Sequence, residues 1–65
     1  MNWNQVEGHW DEVKGKLRHK WGKLTDDDLE QAHGRREQIV ARLQQRYGEA
    51  KADLEKKVDA LIEKI

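Results

Sequence analysis

Residues 21–34 read WGKLTDDDLEQAHG, and the donor types for metal or acid–base chemistry are concentrated there: Asp26, Asp27, Asp28, Glu30 and His33. Consecutive carboxylates suit a hard cation, and paired carboxylates beside an imidazole suit proton transfer. The spacing argues against a calcium loop. With Asp26 as its first position, Asp28 and Glu30 fall on ligand positions and Glu37 on the last. The sharp turn that needs glycine, however, falls on Gln31, and Gly34 comes three residues late. A helix through this segment also points the three aspartates in different directions. The run is better explained as a helix start: Thr25 followed three residues later by Asp28 makes a capping box, and three carboxylates face the positive end of the helix dipole.

The remaining reactive groups are few. The chain has no cysteine, no proline, no phenylalanine and no serine, so Thr25 and Tyr47 carry its only side-chain hydroxyls. Ser- or Cys-based nucleophilic catalysis, thiolate zinc sites and disulfides are excluded, and no glycine-rich phosphate loop is present. His9 and His19 lie about 15 Å apart along a helix and on different sides of it. His33 falls at an expected helix end, where a cation is favoured. Solvated or capping histidines are expected, with no catalytic residue, no metal ligand and no cofactor site. The chain is not expected to be an enzyme.

Thirteen basic and thirteen acidic residues cancel, so global charge gives no strong attraction to nucleic acid or to anionic membrane. Locally, Lys16, Lys20 and Lys23 share one stripe, and Arg35, Arg42 and Arg46 share another. If folding sets the stripes side by side, they form a basic patch for phosphates. The competing expectation is that these long side chains run along the edge of a thin core and pair with Glu12, Glu49 or the aspartates.

Sixty-five residues make one domain over 1–65, and with 35% apolar residues its core is thin. Such a domain seldom nets more than about 3–5 kcal/mol from its core. A proline-free chain rich in Lys, Glu, Gln, Leu and Ala is all-helical. The spacing of Trp3, Val6, Trp10, Val13, Leu17 and Trp21 predicts a first helix with a narrow apolar stripe, ended by Gly22 in a left-handed conformation. A second helix is expected over about 26–33, burying Leu29 and Ala32 and ended by Gly34. A third is expected over about 35–47, burying Ile39, Val40, Leu43 and Tyr47. The fourth starts near Ala50, with Leu54, Val58, Leu61, Ile62 and Ile65 as its stripe.

Three questions along this plan are open. At Gly48 a bend is favoured, giving a mainly monomeric protein; a continuous helix would expose the last stripe and call for a dimer. Gly8, Gly15 and Gly22, seven apart, imply either close approach of another backbone or an early break in the helix. The three tryptophans are expected in the core, the alternative being a membrane-surface anchor that the chain opens to expose.

The segments WGKLTDDDL, GRREQIV and QQRYG resemble the CsbD-like family of small bacterial stress-response proteins. The resemblance runs from Trp10 to about Val58. It covers Trp10, Lys14, Gly15, Lys16 and the run Trp21–Leu29, then Gly34, Arg36, Gln38, Gln44, Arg46, Tyr47 and Gly48. Ala41 departs from it, where a second small glycine is usual, as does the missing cap after Gly48. The resemblance implies a compact bundle of about four short helices, two helical hairpins packed crosswise with no sheet, in a cytoplasmic bacterial protein raised in general stress. It supplies no activity and no catalytic residues. The absence of an apolar run of about 20 residues and of a signal-like start also leads us to expect a soluble cytoplasmic protein. Its function is expected to be binding or protection of other molecules, through an unidentified protein partner or weakly bound nucleic acid.

Overall fold

The computed structural model describes all residues from Met1 to Ile65. Helix α1 spans Trp3–Val6 and passes through a 3₁₀ turn at Glu7–His9 into α2, Trp10–Lys20. Then come α3 at Asp26–Ala32, α4 at Arg36–Tyr47 and α5 at Lys51–Lys64, with no strand. Since α1 is a single turn leading into α2, the architecture is the expected all-α bundle of four main helices. Helix α4 packs against both α3 and α5, and α2 also packs on α5.

The first helix takes the early break left open at its glycines, and its end differs from the one expected. It is not continuous: the backbone tightens at Glu7–His9 around Gly8, a poor helix former, and His9 leaves helical geometry at φ −118° and ψ 30°. It also does not end on a left-handed Gly22, since only His33, Gly34 and Gly48 have positive φ. The chain instead leaves α2 through Trp21, at φ −121° and ψ 85°, whose N–H still donates to the Leu17 carbonyl at 2.8 Å. The loop that follows is held without a left-handed residue. Leu24 N–H donates to the Trp21 carbonyl at 3.1 Å, and Lys23 N–H donates to the Tyr47 hydroxyl at 3.0 Å.

Helix α3 starts as its sequence predicts. Thr25 Oγ1 accepts from Asp28 N–H, and Asp28 Oδ2 accepts from Thr25 N–H, both at 3.1 Å. It stops at Ala32, one residue early, because His33 itself turns left-handed at φ 50°, followed by Gly34 at φ 80°. Close backbone approach occurs here and not at Gly8 or Gly15. A Cβ on Gly34 would lie 2.9 Å from Glu7 Cγ and 3.3 Å from Glu7 Cα, whereas one on Gly8, Gly15 or Gly22 would meet nothing within 4 Å.

Gly48 closes α4 at φ 70°, its N–H donating to the Gln44 carbonyl at 2.9 Å, and the chain bends into α5. The bend lets α5 return its stripe to the core, where Leu54, Val58 and Ile62 are buried. They join Val6, Val13, Leu17, Trp21, Leu24, Leu29, Ala32, Ile39, Val40 and Leu43 in one apolar cluster. Of the tryptophans only Trp21 is fully inside. Trp3 and Trp10 cover the cluster's edge, as do Tyr47, Leu61 and Ile65. The branched aliphatics fill the centre, so the larger rings are left to roof it.

Candidate functional site

The acidic run separates once it is folded. Asp26 Oδ1 accepts from Arg18 at 2.7 Å, Asp27 Oδ2 accepts from Gln31 at 3.0 Å, and Asp28 turns inward. Asp28 is four residues before Ala32 and therefore on the buried side of α3, with only 2% of its side chain exposed. An ionised carboxylate there is costly unless it is paired. Arg46 of α4 supplies the pairing through a two-pronged contact, Nε to Oδ2 at 2.9 Å and Nη2 to Oδ1 at 3.1 Å. Arg42, one turn earlier, places Nη1 3.8 Å from Asp28 Oδ1 and donates through Nη2 to Gln31 Oε1. The Arg46 guanidinium, helped by the Thr25 amide and hydroxyl, holds the Asp28 carboxyl at about 2, against the opposing push of burial.

A second polar cluster joins three helices. Arg36 at the start of α4 clamps Asp59 of α5 through Nε and Nη2, both at 2.8 Å, and reaches Glu55 Oε2 at 3.2 Å. The Trp3 indole N–H of α1 donates to the same Asp59 at 2.9 Å. The Arg36 contact, with that indole bond, keeps the Asp59 carboxyl below the usual range. Met1, Trp3, Arg36, Asp59 and Ile62 line a cleft of about 260 Å³ around this cluster.

The six cations of the two stripes divide by role. Arg42 and Arg46 are turned onto Asp28 and bridge α3 to α4. Lys16, Lys20, Lys23 and Arg35 are exposed and form no ion pair within the chain. Lys20 Nζ lies 5.2 Å from the centroid of the Trp21 ring, and Lys23 Nζ lies 5.1 Å from that of Tyr47, both within cation–π range. Glu49, an expected acceptor for the stripes, is taken by Lys57 at 2.6 Å. His9, His19 and His33 are all exposed, and no three His, Asp or Glu side chains converge.

Two clusters escaped the sequence reading in part. Thr25 and Asp28 announce a cap, but the Arg46 partner lies eighteen residues away. The usable signal was the alignment of Asp28 with Ala32 on the apolar side of α3, with Arg42 and Arg46 one turn apart on α4. The Arg36–Asp59–Trp3 cluster had no such signal, because its members sit on three separately read elements.

Residues 4–56 match the family model described as CsbD-like. Over 59 residues the chain is 56% identical to a UPF0337 protein of Rhodopseudomonas palustris, an alignment covering 91% of this chain and 89% of that protein. A UPF0337 protein of Pectobacterium atrosepticum is 52% identical over 58 residues, covering 89% of this chain and 84% of the relative. The UPF0337 protein YjbJ of Salmonella typhi is 47% identical over 58 residues, covering 89% and 83%. No solved structure matches the chain.

Proposed function

The chain belongs to the CsbD-like family, and on that premise we propose a non-enzymatic, cytoplasmic stress-response protein of bacteria that acts by binding or protecting other molecules. The observation that carries this reading is how the reactive side chains are used. Asp28, the one carboxylate buried in the fold, is spent on a helix cap and an arginine clamp that hold α3 to α4. Arg36 and Asp59 tie α4 to α5 in the same way. The groups best placed for chemistry thus act as structural ties, which leaves the charged exterior to meet partners. Crosslinking and capture from stressed cells, compared with unstressed cells, tests the proposal. Higher abundance and stress-dependent crosslinks to a defined set of molecules are expected. Equal abundance and identical crosslinks in the two states would contradict it.

A second reading, weak nucleic-acid association, is favoured by the four cations of the two stripes that no internal carboxylate neutralises: Lys16, Lys20, Lys23 and Arg35. Such binding falls as salt rises, by counterion release. Glutamine at Lys16, Lys20 and Lys23 is expected to weaken it and leave the fold intact, since all three are exposed. Undetectable binding to DNA and RNA at low salt would remove this reading. A membrane-surface role has less support, because offering the tryptophan stripe to lipid would mean extracting the buried Val13, Leu17 and Trp21.

A further inference from the structure

An open groove of about 470 Å³ runs along the outer face of α2. Asp11, Glu12, Gly15, Lys16, His19 and Lys20 line it, and Leu61 of α5 is its one apolar wall. All six α2 residues are exposed, and a Cβ on Gly15 would meet nothing within 4 Å, so no other part of the chain covers this face. Charge along the groove is separated by sign. Asp11 and Glu12 lie on the N-terminal side of Gly15; Lys16, His19 and Lys20 lie on the C-terminal side. The one ion pair made by these groups, Asp11 to Lys14 at 3.5 Å, joins a fully exposed carboxylate and is weak.

A ligand of one sign is drawn to one half of this groove and repelled by the other. The surface that satisfies both halves is the same surface turned through a two-fold rotation. We propose that the α2 groove is a self-association site in which two copies of this chain pack α2 against α2, antiparallel, about an axis at Gly15. Rotation brings Asp11 and Glu12 of each copy alongside the Lys16–Lys20 stretch of the other, and sets the two Gly15 backbones face to face. Such a contact is isologous and closes at two copies. Glycine at the crossing lets the helix axes come to the short end of the usual range, about 8 Å. Leu61 of each copy adds apolar contact beside the charges.

The size of the face sets the strength. Eleven residues of α2 span about 16 Å, so the contact buries less than the roughly 1,200 Å² of stable complexes. The dimer is therefore weak, reversible and weakened by salt. It leaves α5 on its own core, unlike an exchange of helices through a straightened Gly48. It also holds whether or not the binding role proposed above does.

Sedimentation of the full chain from about 10 μM to about 1 mM, a range matched to weak affinities, tests the site. At low salt the average mass is expected to rise with concentration from 7.7 kDa toward twice that value, and to fall back at high salt. Gly15→Gln, which fills the crossing with an exposed helix-forming residue, is expected to weaken association at least about tenfold while circular dichroism stays that of the parent. Asp11→Lys with Glu12→Lys in one variant, and Lys16→Glu with Lys20→Glu in another, should each stay monomeric alone and pair when mixed. That pairing should be lost when Gly15→Gln is added to both. The charge-swap pair decides the matter if Gly15→Gln fails to fold. A parent that stays monomeric at about 1 mM in low salt, association that survives a folded Gly15→Gln, or folded charge variants that do not pair on mixing would each overturn the proposal.

Discussion

Asp28 shows how one residue can serve two levels of structure. Its carboxylate accepts from Thr25 N–H, capping the helix it starts, and from Arg46, fastening that helix to its neighbour. The first role was legible in the sequence because a capping box has a fixed spacing. The second was not, because an ion pair across elements is set by how they pack. Gly34 makes the same point for backbone. Seven-residue spacing drew attention to Gly8, Gly15 and Gly22, yet the glycine against another backbone is Gly34, beside Glu7. Gly34→Ala combines φ +80° with a Cβ 3.3 Å from Glu7 Cα, and is expected to cost about 2 kcal/mol. Its urea midpoint should fall clearly below the parent's; an unchanged midpoint would mean the α3–α4 turn does not approach the 3₁₀ turn.

Among the helices, the ends differ more than the middles. Helix α3 has a complete box, whereas the residue before α5, Ala50, is in extended geometry and gives no side-chain cap. Capping chemistry therefore predicts opposite results at the two starts. Thr25→Ala should lose about 1 kcal/mol and Ala50→Asp should gain roughly half to 1 kcal/mol, both measured by denaturation of the full chain. Equal effects of one sign would contradict these assignments. Gly48 lies between the two stripes that the sequence left open to a bend or a straight run. Its φ of 70° and the open space around it make backbone strain the deciding factor. Gly48→Ala should destabilise by about 1 kcal/mol; a gain in stability would imply a helix running straight through. The apolar stripes of α3, α4 and α5 were readable because period and length agree over several turns. The interruption at Glu7–His9 was legible only as one of two readings of Gly8, Gly15 and Gly22, because the apolar phase of the first helix continues across it.

The molecule as a whole has a Cα radius of gyration of 10.4 Å, close to the roughly 11 Å expected of a folded chain this long. Its thin aliphatic centre is supplemented at the edge by two arginine–carboxylate clamps, Asp28 with Arg46 and Asp59 with Arg36. Both carboxyls are held below their ordinary range by those arginines. A carboxyl whose pKa is depressed by folding contributes stability above its unfolded pKa, and that contribution is lost as pH falls through the folded value. Stability should therefore be level near neutrality and decline from about pH 4 toward the folded value of Asp28, about 2. The most direct measurement is the urea midpoint of the parent and of Asp28→Asn across this range. We predict that the parent is the more stable at neutral pH and that the gap closes between about pH 4 and about pH 2. A gap that stays constant down to pH 2, or no gap at neutral pH, would contradict the assignment of the acidic run to a buried structural tie.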